Sequence, residues 1–316
     1  MDLEEQILRY YLKVFSLLLI FVFYFIYIFF IKEILFKNEY FIINKSESYK
    51  SIIENNIIDF SVNIFFYKLT LKMLLINKTQ IHYGKFNLDG NLNFKDVINI
   101  ITSPSNYYEK ITIVEGWSKK ELNKILENNF EQFDDLDYSK IIADTYMFSK
   151  GSTFNVFKIN LENKFHKLKE KNKNNELLKK FSFKEILIIG SLLEKEGLNY
   201  IDKKKIFSVI INRLNKKMKL QIDATVIYAI TEGNKKIDRK LTFNDLKIKH
   251  DYNTYVIFGL PPEPISYVGY KTIELIFENY KTDYLFYFYN SRKGNHIFSK
   301  NYKDHLMKLN EYRSKK

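Results

Sequence analysis

Two glutamates two positions apart, Glu194 and Glu196, are the residues of this chain best suited to chemistry. A carboxyl group in poorly solvated surroundings keeps its proton to higher pH and can act as a general acid, as cleavage of a glycosidic bond requires. Both lie at the end of a helical pattern that starts with the capping box Ser182-Phe-Lys-Glu185. The ordinary alternative is a solvated glutamate at a helix end, and position alone does not exclude it.

Helical spacing puts the two carboxylates on different sides of the predicted helix. An apolar stripe with 3,4,3 spacing ends at Glu196, after Ile186, Ile189 and Leu193. Glu194 lies about 200° around the helix from Glu196. The two groups therefore cannot easily converge on one bond, and we expect only one of them to be central to a reaction.

Other catalytic chemistries find little support in the sequence. Cysteine is absent, which excludes disulfides, thiolate catalysis and Cys-type zinc sites. The five histidines show no metal-binding spacing, so we predict neither a metal nor a cofactor. The sequence has no nucleophile elbow, no Gly-rich phosphate loop and no dinucleotide fingerprint.

The formal net charge of +13 comes mainly from lysine. No aromatic-interleaved basic block or helix-turn-helix signal accompanies it, so we predict no nucleic-acid partner. Attraction to an anionic membrane surface or an anionic polymer fits the charge better. Part of the lysine excess follows from a general compositional bias, because alanine, glycine and arginine are all scarce.

An apolar run near the N-terminus predicts a membrane anchor. Residues 14–31 contain only Ser16 and two tyrosines as polar interruptions, about the length that a helix needs to cross a hydrocarbon core of about 30 Å. A cleaved signal peptide is the alternative, but no alanine precedes Ala143 to provide a cleavage site. We expect an uncleaved transmembrane helix at 14–31, whose orientation is poorly specified because few basic residues lie on either side of it.

After the anchor, short β-like runs alternate with helical patterns, which predicts an α+β fold. A small α+β domain is expected at 35–105, ending near the turn cluster Ser103-Pro-Ser-Asn. Within it, the run from Phe65 to Ile76 is apolar enough to suggest a second span. Because Lys68 and Lys72 interrupt it at helical spacing, a surface amphipathic helix is favoured.

A larger α+β domain is expected at 106–316. The aromatic run at 284–289 and the turn that follows it predict a β-hairpin. Three of the four prolines fall in Gly259-Leu-Pro-Pro-Glu-Pro264. We expect Pro261 and Pro262 to form a rigid wall of the site that contains the glutamates.

Seven blocks in this larger domain, in order, resemble the MltG (YceG-like) family of membrane-anchored endolytic murein transglycosylases. The blocks are Leu193-Glu-Lys-Glu196, Val209-Ile-Ile-Asn-Arg-Leu214, Met218-Lys-Leu-Gln221-Ile-Asp-Ala-Thr-Val-Ile-Tyr228, Tyr252-Asn-Thr-Tyr255, Gly259-Leu-Pro-Pro262, Tyr284-Leu-Phe-Tyr-Phe288 and Gly294-Asn-His-Ile-Phe298. The segments Gly84-Lys-Phe-Asn-Leu, Phe94-Lys-Asp-Val and Ile113-Val-Glu-Gly116 are more loosely similar to the family's LysM-like domain and the strand after it.

The resemblance implies cleavage between N-acetylmuramic acid and N-acetylglucosamine in nascent glycan strands, with formation of 1,6-anhydro ends. It implies that Glu196 is the catalytic acid and that Glu194 is a supporting acid or the alternative catalytic residue. Arg213 is a candidate partner for a carboxylate or a structural residue. Six other motif positions become candidates for lining the glycan groove or holding the glutamate: Gln221, Asp223, Tyr228, Asn253, Tyr255 and His296.

The resemblance also implies an architecture and a location. We expect a single-pass protein of the inner membrane with residues 1–13 in the cytoplasm, a LysM-like domain at 35–105 and a YceG-like catalytic domain at 106–316 that faces the periplasm, near cell-wall synthases. Several positions depart from the family pattern, namely Ala143, Asp251, Glu263, Tyr267 and Val268. They leave open an alternative function, a membrane-tethered protein that binds or assembles peptidoglycan with reduced or no turnover.

Overall fold

The structure, a computed structural model, describes residues 3–44, 46–77, 79–149 and 152–314. Helices and short strands alternate along the chain, which confirms the predicted mixed α+β class. The chain divides into two compact units. The first ends at Glu109 and includes Met147–Ser152, and the second comprises Lys110–Tyr146 and the chain from Thr153 onward.

The N-terminal helix α1 (Leu3–Ile26) continues into a π-helical turn (Tyr27–Ile31). Within the helical stretch Glu5–Ile31, an 18-residue window has a mean hydropathy of 2.8, and almost all of that window is exposed. It is the one helix of the described ranges that is long and apolar enough to cross a membrane. The structure is therefore compatible with the predicted anchor.

The first unit continues with short strands and three further helices. These are β1 (Leu35–Phe36), β2 (Tyr40–Ile43), α2 (Tyr49–Asn56), β3 (Ile57–Ile58), α3 (Ser61–Ile76), β4 (Gly84–Asn87) and α4 (Phe94–Ile101). Strand β2 pairs antiparallel with β4, and β1 pairs antiparallel with β3. Tyr67 and Leu71 of α3 pack into the core of this unit with Phe41, Phe86 and Phe94. Because one side of α3 belongs to this core, α3 is not a second membrane span.

The second unit contains the predicted helix of the glutamates. Its elements, with those at its border, are β5 (Tyr108–Thr112), α5 (Lys119–Glu127), β6 (Ile142–Ala143), β7 (Thr145–Ser149), α6 (Phe154–Asn172), α7 (Phe183–Glu196), α8 (Tyr200–Asn215), α9 (Asp223–Thr231), β8 (Val268–Gly269), α10 (Tyr270–Phe277), β9 (Phe286–Asn290), β10 (Asn295–Ser299) and α11 (Tyr302–Ser314). Short 3₁₀ turns lie at Glu176–Lys179 and Asp245–Lys247. Strand β5 pairs with β7, β6 pairs parallel with β8, and β9 pairs antiparallel with β10.

Helix α7 lies at the centre of the second unit. Its residues from Ile186 to Leu193 are buried, and it packs against α8, α10 and β8. The capping box predicted at Ser182 is formed, with the hydroxyl oxygen and the Glu185 carboxylate each accepting from the other residue's backbone N–H. A β-carbon on Gly190 would lie only 2.6 Å from a methyl group of Val268. Glycine is therefore needed here for the close approach of β8 to α7.

The β-hairpin predicted after residue 284 is formed by β9 and β10, in the register Phe288 to Ile297. Gly197 directly follows α7, at a position where many helices have a left-handed glycine, but its backbone is extended with φ of −82°. A side chain at Gly197 would instead collide with Lys203. Close packing, and not a positive φ, is thus the reason for a glycine at this position.

Candidate active site

Helix α7 carries Glu196 as its last residue. The apolar stripe that precedes it anchors the helix in the core, because Ile186, Ile189 and Leu193 are fully buried. The Tyr287 hydroxyl of β9 donates a hydrogen bond to Oε2 of Glu196 at 3.2 Å. The backbone N–H of Ala224, in the first turn of α9, donates to the same carboxylate. Glu196 is thus held where the end of α7 meets the start of α9 and the hairpin.

Burial raises the pKa of Glu196 above its ordinary value, because the charged form is poorly solvated. The donor groups of Tyr287 and Ala224 and the nearby His296 favour the carboxylate and oppose this rise, whereas the negative charge of Asp223 adds to it. The partial negative charge at the C-terminal end of a helix acts in the same direction as Asp223. The result is a carboxyl group that retains its proton at higher pH and has donors ready to stabilise the anion after the proton leaves.

Glu194 makes an entirely different set of contacts. Its side chain is only 2% exposed, and its Oε2 forms an ion pair with Lys203. Its Oε1 accepts a hydrogen bond from the Gly269 N–H at 3.0 Å. Lys203 also donates to Thr272 Oγ1 at 3.1 Å. Both oxygens of Glu194 therefore join α7 to α8, β8 and α10, which is a structural arrangement and leaves no oxygen directed at a ligand.

His296 of β10 lies beside Tyr287 and pairs with a residue that the sequence reasoning missed. The His296 Nδ1 is 2.8 Å from Oδ2 of Asp202, near the start of α8. The rings of His296 and Tyr287 meet edge to face, with centroids 5.4 Å apart. Although burial opposes ionisation of Asp202, hydrogen bonds from His296 and from the Leu198 N–H outweigh it and lower the pKa of Asp202. The buried pair fixes the orientation of the His296 ring beside the Tyr287–Glu196 contact.

Asp223 is the first residue of α9, and Tyr255 is bonded to it. The Tyr255 hydroxyl donates to Oδ1 of Asp223 at 2.5 Å. Burial raises the pKa of Tyr255, and the bond to Asp223 raises it further, so Tyr255 remains a donor. Gln221, two residues before α9, has a left-handed backbone with φ of 51°, and its N–H bonds to the Thr254 carbonyl oxygen at 3.1 Å. The chain thus turns sharply between α8 and α9 and presents Asp223 next to Glu196.

Among the residues that the structure describes, Arg213 pairs with no carboxylate, contrary to one of the two roles considered for it. Its guanidinium donates to the carbonyl oxygens of Leu285 at 2.7 Å and Leu220 at 2.7 Å, and to Lys219 at 3.2 Å. Its contact with Gln221 Oε1, at 3.4 Å, is longer. Arg213 therefore connects the segment before β9 to the turn before α9, and it holds these two parts of the candidate site in position.

Asn253 is fully buried and does not reach the groove surface. Its amide donates to the carbonyl oxygens of Leu246 at 3.1 Å and Ile248 at 2.8 Å. Its Oδ1 accepts from the Tyr255 N–H at 3.0 Å. The structure thus makes Asn253 a support for the turn that presents Tyr255, and not a residue that lines the groove.

Tyr228 borders two cavities next to α9. The first, of about 630 Å³, also contains Tyr252, whose ring centroid is 4.7 Å from that of Tyr228. The second, of about 530 Å³, includes Ala224, so it reaches the residue that bonds Glu196. Five lysines line the second cavity, namely Lys120, Lys124, Lys195, Lys235 and Lys236. The single acidic residue that lines this cavity is Glu121, whose carboxylate accepts hydrogen bonds from the N–H and the hydroxyl of Ser118. This cavity is therefore basic, and it suits an anionic ligand.

The proline segment does not form a wall beside Glu196, so that prediction is wrong. Pro261 and Pro262 line a shallow pocket with Lys184 and Ile188, in the first half of α7. Since Lys184 precedes Glu196 by twelve residues, the two ends lie about 18 Å apart along the helix axis. The chain after the prolines runs along α7, where the Ile265 N–H bonds to Ser191 Oγ at 3.0 Å. The proline segment thus begins beside the first half of α7 and continues to β8, where the Gly269 N–H bonds to Glu194.

A metal site is not present among the described residues, where no three His, Asp or Glu side chains gather around one point. The groups gathered around Glu196 are the Asp223 carboxylate, the Tyr287 hydroxyl and the His296 imidazole. Each of these groups acts on Glu196 directly or through one neighbour. The site is best described as one acid with its supporting residues.

Comparison with known proteins identifies the family. The sequence profile of the YceG-like family matches residues 41–311. The chain belongs to the YceG-like family. It is 42% identical over 137 residues to an endolytic murein transglycosylase of Bacillus subtilis strain 168, which is 43% of this chain and 37% of that protein. A transglycosylase of the same name from Streptococcus pneumoniae D39 is 32% identical over 135 residues, 42% of this chain and 24% of that protein.

The match thus spans well under half the length of these relatives. A solved structure supports the YceG-like fold independently. The crystal structure of a YceG-like protein from Listeria monocytogenes has a TM-score of 0.53 to this chain, at 23% identity, and the alignment covers 85% of this chain and 98% of that one. At this identity the likeness shows the fold alone. The family resemblance and the α+β class predicted from the sequence are confirmed.

Within this YceG-like fold, the motif residues separate into three groups by position. Glu196, Asp223, Tyr255 and His296 lie in one connected cluster. Gln221 and Tyr228 border that cluster from the two ends of the α9 region. The side chains of Asn253 and Glu194 are buried and support the elements that carry this cluster. The sequence did not identify Asp202 and Tyr287 as site residues. Asp202 lies three residues after the N-cap Asn199, a position that the sequence shows, but nothing in the sequence connects it to His296.

Proposed function

We propose that this protein is an endolytic lytic transglycosylase of peptidoglycan, with Glu196 as its acid. The observation that carries the proposal is the mostly buried Glu196, with its raised pKa and the two donors that face it. The names of the two relatives, endolytic murein transglycosylases, agree with it. The basic cavity next to Ala224 suits a polymer that carries carboxylates.

In this mechanism Glu196 donates its proton to the glycosidic oxygen between N-acetylmuramic acid and N-acetylglucosamine, and that bond breaks. The carboxylate so formed is stabilised by the Tyr287 hydroxyl and the Ala224 N–H. It then accepts the proton of the muramoyl 6-hydroxyl, whose oxygen attacks the anomeric carbon of the same sugar. A 1,6-anhydro ring closes, Glu196 is protonated again, and no water is consumed.

Hydrolysis is the second candidate reaction, and Asp223 is the observation that favours it. Hydrolases of glycosidic bonds use two carboxyl groups, and Asp223 is close enough to raise the pKa of Glu196. Its Oδ1 is bonded to Tyr255, however, and transglycosylation needs one acid only. We therefore assign Asp223 to tuning and positioning.

Product analysis separates these possibilities. Purified peptidoglycan is digested with the full chain in detergent, and the released fragments are analysed by mass. Anhydro ends, lighter than reducing ends by one water, are expected. Reducing ends would contradict the mechanism and favour hydrolysis. Binding to glycan strands without any released fragment would favour the alternative of a membrane-tethered binding or assembly protein.

For the location, we propose a single-pass protein of the inner membrane with residues 14–31 as its transmembrane anchor, residues 1–13 in the cytoplasm and the residues after the anchor in the periplasm. The exposed apolar helix supports an anchor. We further propose that 35–105 is a LysM-like domain that holds glycan, that 106–316 is the catalytic domain, and that the protein works near cell-wall synthases on nascent strands. The orientation is tested by fusing a reporter enzyme after Ser314. A reporter that is active only outside the cytoplasm is expected to be active in this fusion.

A further inference from the structure

Helix α3 has an apolar face that the described protein leaves uncovered. Five side chains between 42% and 67% exposed lie along it, and we call them the α3 stripe: Val62, Phe65, Leu69, Met73 and Ile76. At 100° per residue they fall within an arc of about 80°. The opposite side of α3 is buried in the core of the first unit. A helix that is apolar on both sides is typical of a segment covered all round by protein or lipid.

One edge of the α3 stripe meets the anchor helix. Phe66, which follows the stripe around the helix, packs its ring against Phe21, Tyr24 and Phe25 of α1, with centroids 5.2, 6.2 and 6.1 Å apart. The Tyr24 hydroxyl also donates a hydrogen bond to Asn63 Oδ1. The apolar surface of α3 is therefore continuous with the exposed apolar surface of α1.

This contact sets the depth of α3 relative to the membrane. Phe21 lies ten residues before Ile31, so it is about 15 Å inside the end of the apolar run, measured along the helix. A bilayer that accommodates this run places Phe21 among the acyl chains. A side chain that packs on Phe21, as Phe66 does, must then lie at or below the boundary between headgroups and acyl chains.

The other edge of the α3 stripe carries lysines. Lys72 and Lys68 lie about 20° and 60° beyond Phe65, on the side away from the anchor contact. Lys68 forms an ion pair with Glu54, whereas the side chain of Lys72 is exposed. A lysine in this position can extend along an apolar surface and place its ammonium group among anionic headgroups.

We propose that α3 lies in the interface of the membrane that holds α1, with the α3 stripe among the acyl chains and Lys72 at the headgroups. Lipid is the occupant because the stripe is continuous with a membrane anchor on one edge and bordered by lysines on the other, as in interfacial helices. The inference rests on the proposed membrane insertion of α1. It means that the first unit is seated on the bilayer by two helices and does not swing freely from one.

The absence of cysteine makes a clean test possible, because any introduced cysteine is the single label site. The full chain is prepared as Phe65→Cys or Met73→Cys, labelled with a nitroxide and reconstituted in vesicles of phosphatidylethanolamine and phosphatidylglycerol. Collisions of the label with oxygen, which concentrates in lipid, and with a water-soluble nickel chelate are measured by electron paramagnetic resonance. Tyr83→Cys, an exposed position of the same unit outside α3, is the aqueous control, and Leu18→Cys in α1 is the lipid control.

We expect both α3 labels to collide several-fold more with oxygen, and several-fold less with the nickel chelate, than the label at Tyr83. Equal access of the chelate to all three would overturn the inference. Exclusion of both reagents from Phe65, with an immobilised spectrum, would mean that protein covers the stripe and would overturn it as well. The label at Leu18 separates this failure from that of the anchor: if Leu18 also reports water, the proposed membrane insertion of α1 is wrong.

Discussion

At the scale of the residue, Glu196 and Glu194 show how two carboxylates on one helix acquire different roles. Glu196 faces donors and a nearby negative charge, and its pKa is raised. Glu194 faces Lys203 and the Gly269 N–H in the core. The helical angle of about 200° between them follows from the sequence alone. Which side faces a groove depends on β8 and the hairpin, and local pattern does not contain that information.

The pH dependence of turnover should respond in opposite directions to the two neighbours of Glu196. The acid works in its protonated form, so activity falls as pH rises through its pKa. Asp223→Asn removes a negative charge, lowers the pKa of Glu196 and should move the alkaline limb of the kcat profile to lower pH. Tyr287→Phe removes a bond that favours the carboxylate, so that limb should move to higher pH.

Tyr287→Phe should also lower kcat by about tenfold to a hundredfold, the effect of one hydrogen bond to a charged group. The pH profile of glycan cleavage by the two variants and the wild type measures both effects. If the alkaline limb moved in the same direction in both variants, the assignment of these neighbours to Glu196 would be wrong.

The two glutamates should differ in their effect on stability. Glu194→Gln leaves Lys203 without its anionic partner and should lower the free energy of unfolding by about 2 to 3 kcal/mol, near the low end for a buried pair because Lys203 is partly exposed. Glu196→Gln removes a poorly solvated carboxyl group that forms no ion pair with any described residue, so stability should be unchanged or higher. Denaturant unfolding of the two variants side by side checks this, and a larger loss for Glu196→Gln would contradict it.

At the scale of the element, the contact between α7 and β8 sets the position of the site. Gly190 allows β8 to approach, and Gly269 of β8 then bonds Glu194 near the end of α7. Ser182 starts the helix with a capping box, which the sequence predicted correctly. The course of the proline segment could not be predicted, because its bond to Ser191 joins residues 74 positions apart.

Gly190→Ala tests this contact. In an exposed helix the change would stabilise by about 1 kcal/mol. Here the new methyl group meets Val268, so we expect a loss of about 1 to 3 kcal/mol and a lower Tm. In a Val268→Ala background the clash is removed, and Gly190→Ala should become neutral or stabilising. Thermal unfolding of the four proteins of this cycle measures the coupling, and a loss of the same size in both backgrounds would contradict the account.

At the scale of the whole molecule, composition and motif order predicted the fold class, the family and the position of the apolar helix. The supporting residues were harder to predict. Asp202 reaches His296 across 94 positions of sequence, and Arg213 bonds carbonyl oxygens that carry no side-chain signal. Such contacts are created by tertiary packing of the hairpin on α8, so periodicity and capping patterns could not reveal them.

The measurement that tests the account most directly compares Glu196→Gln with wild type in the digestion of purified peptidoglycan, with released fragments quantified by mass. The full chain is used, and matched unfolding curves show that the variant is folded. Loss of a general acid should reduce the initial rate by about a thousandfold, within the range of 10² to 10⁴ for such groups. A Glu196→Gln variant that still released fragments within about tenfold of the wild-type rate would contradict the role of Glu196 as the acid.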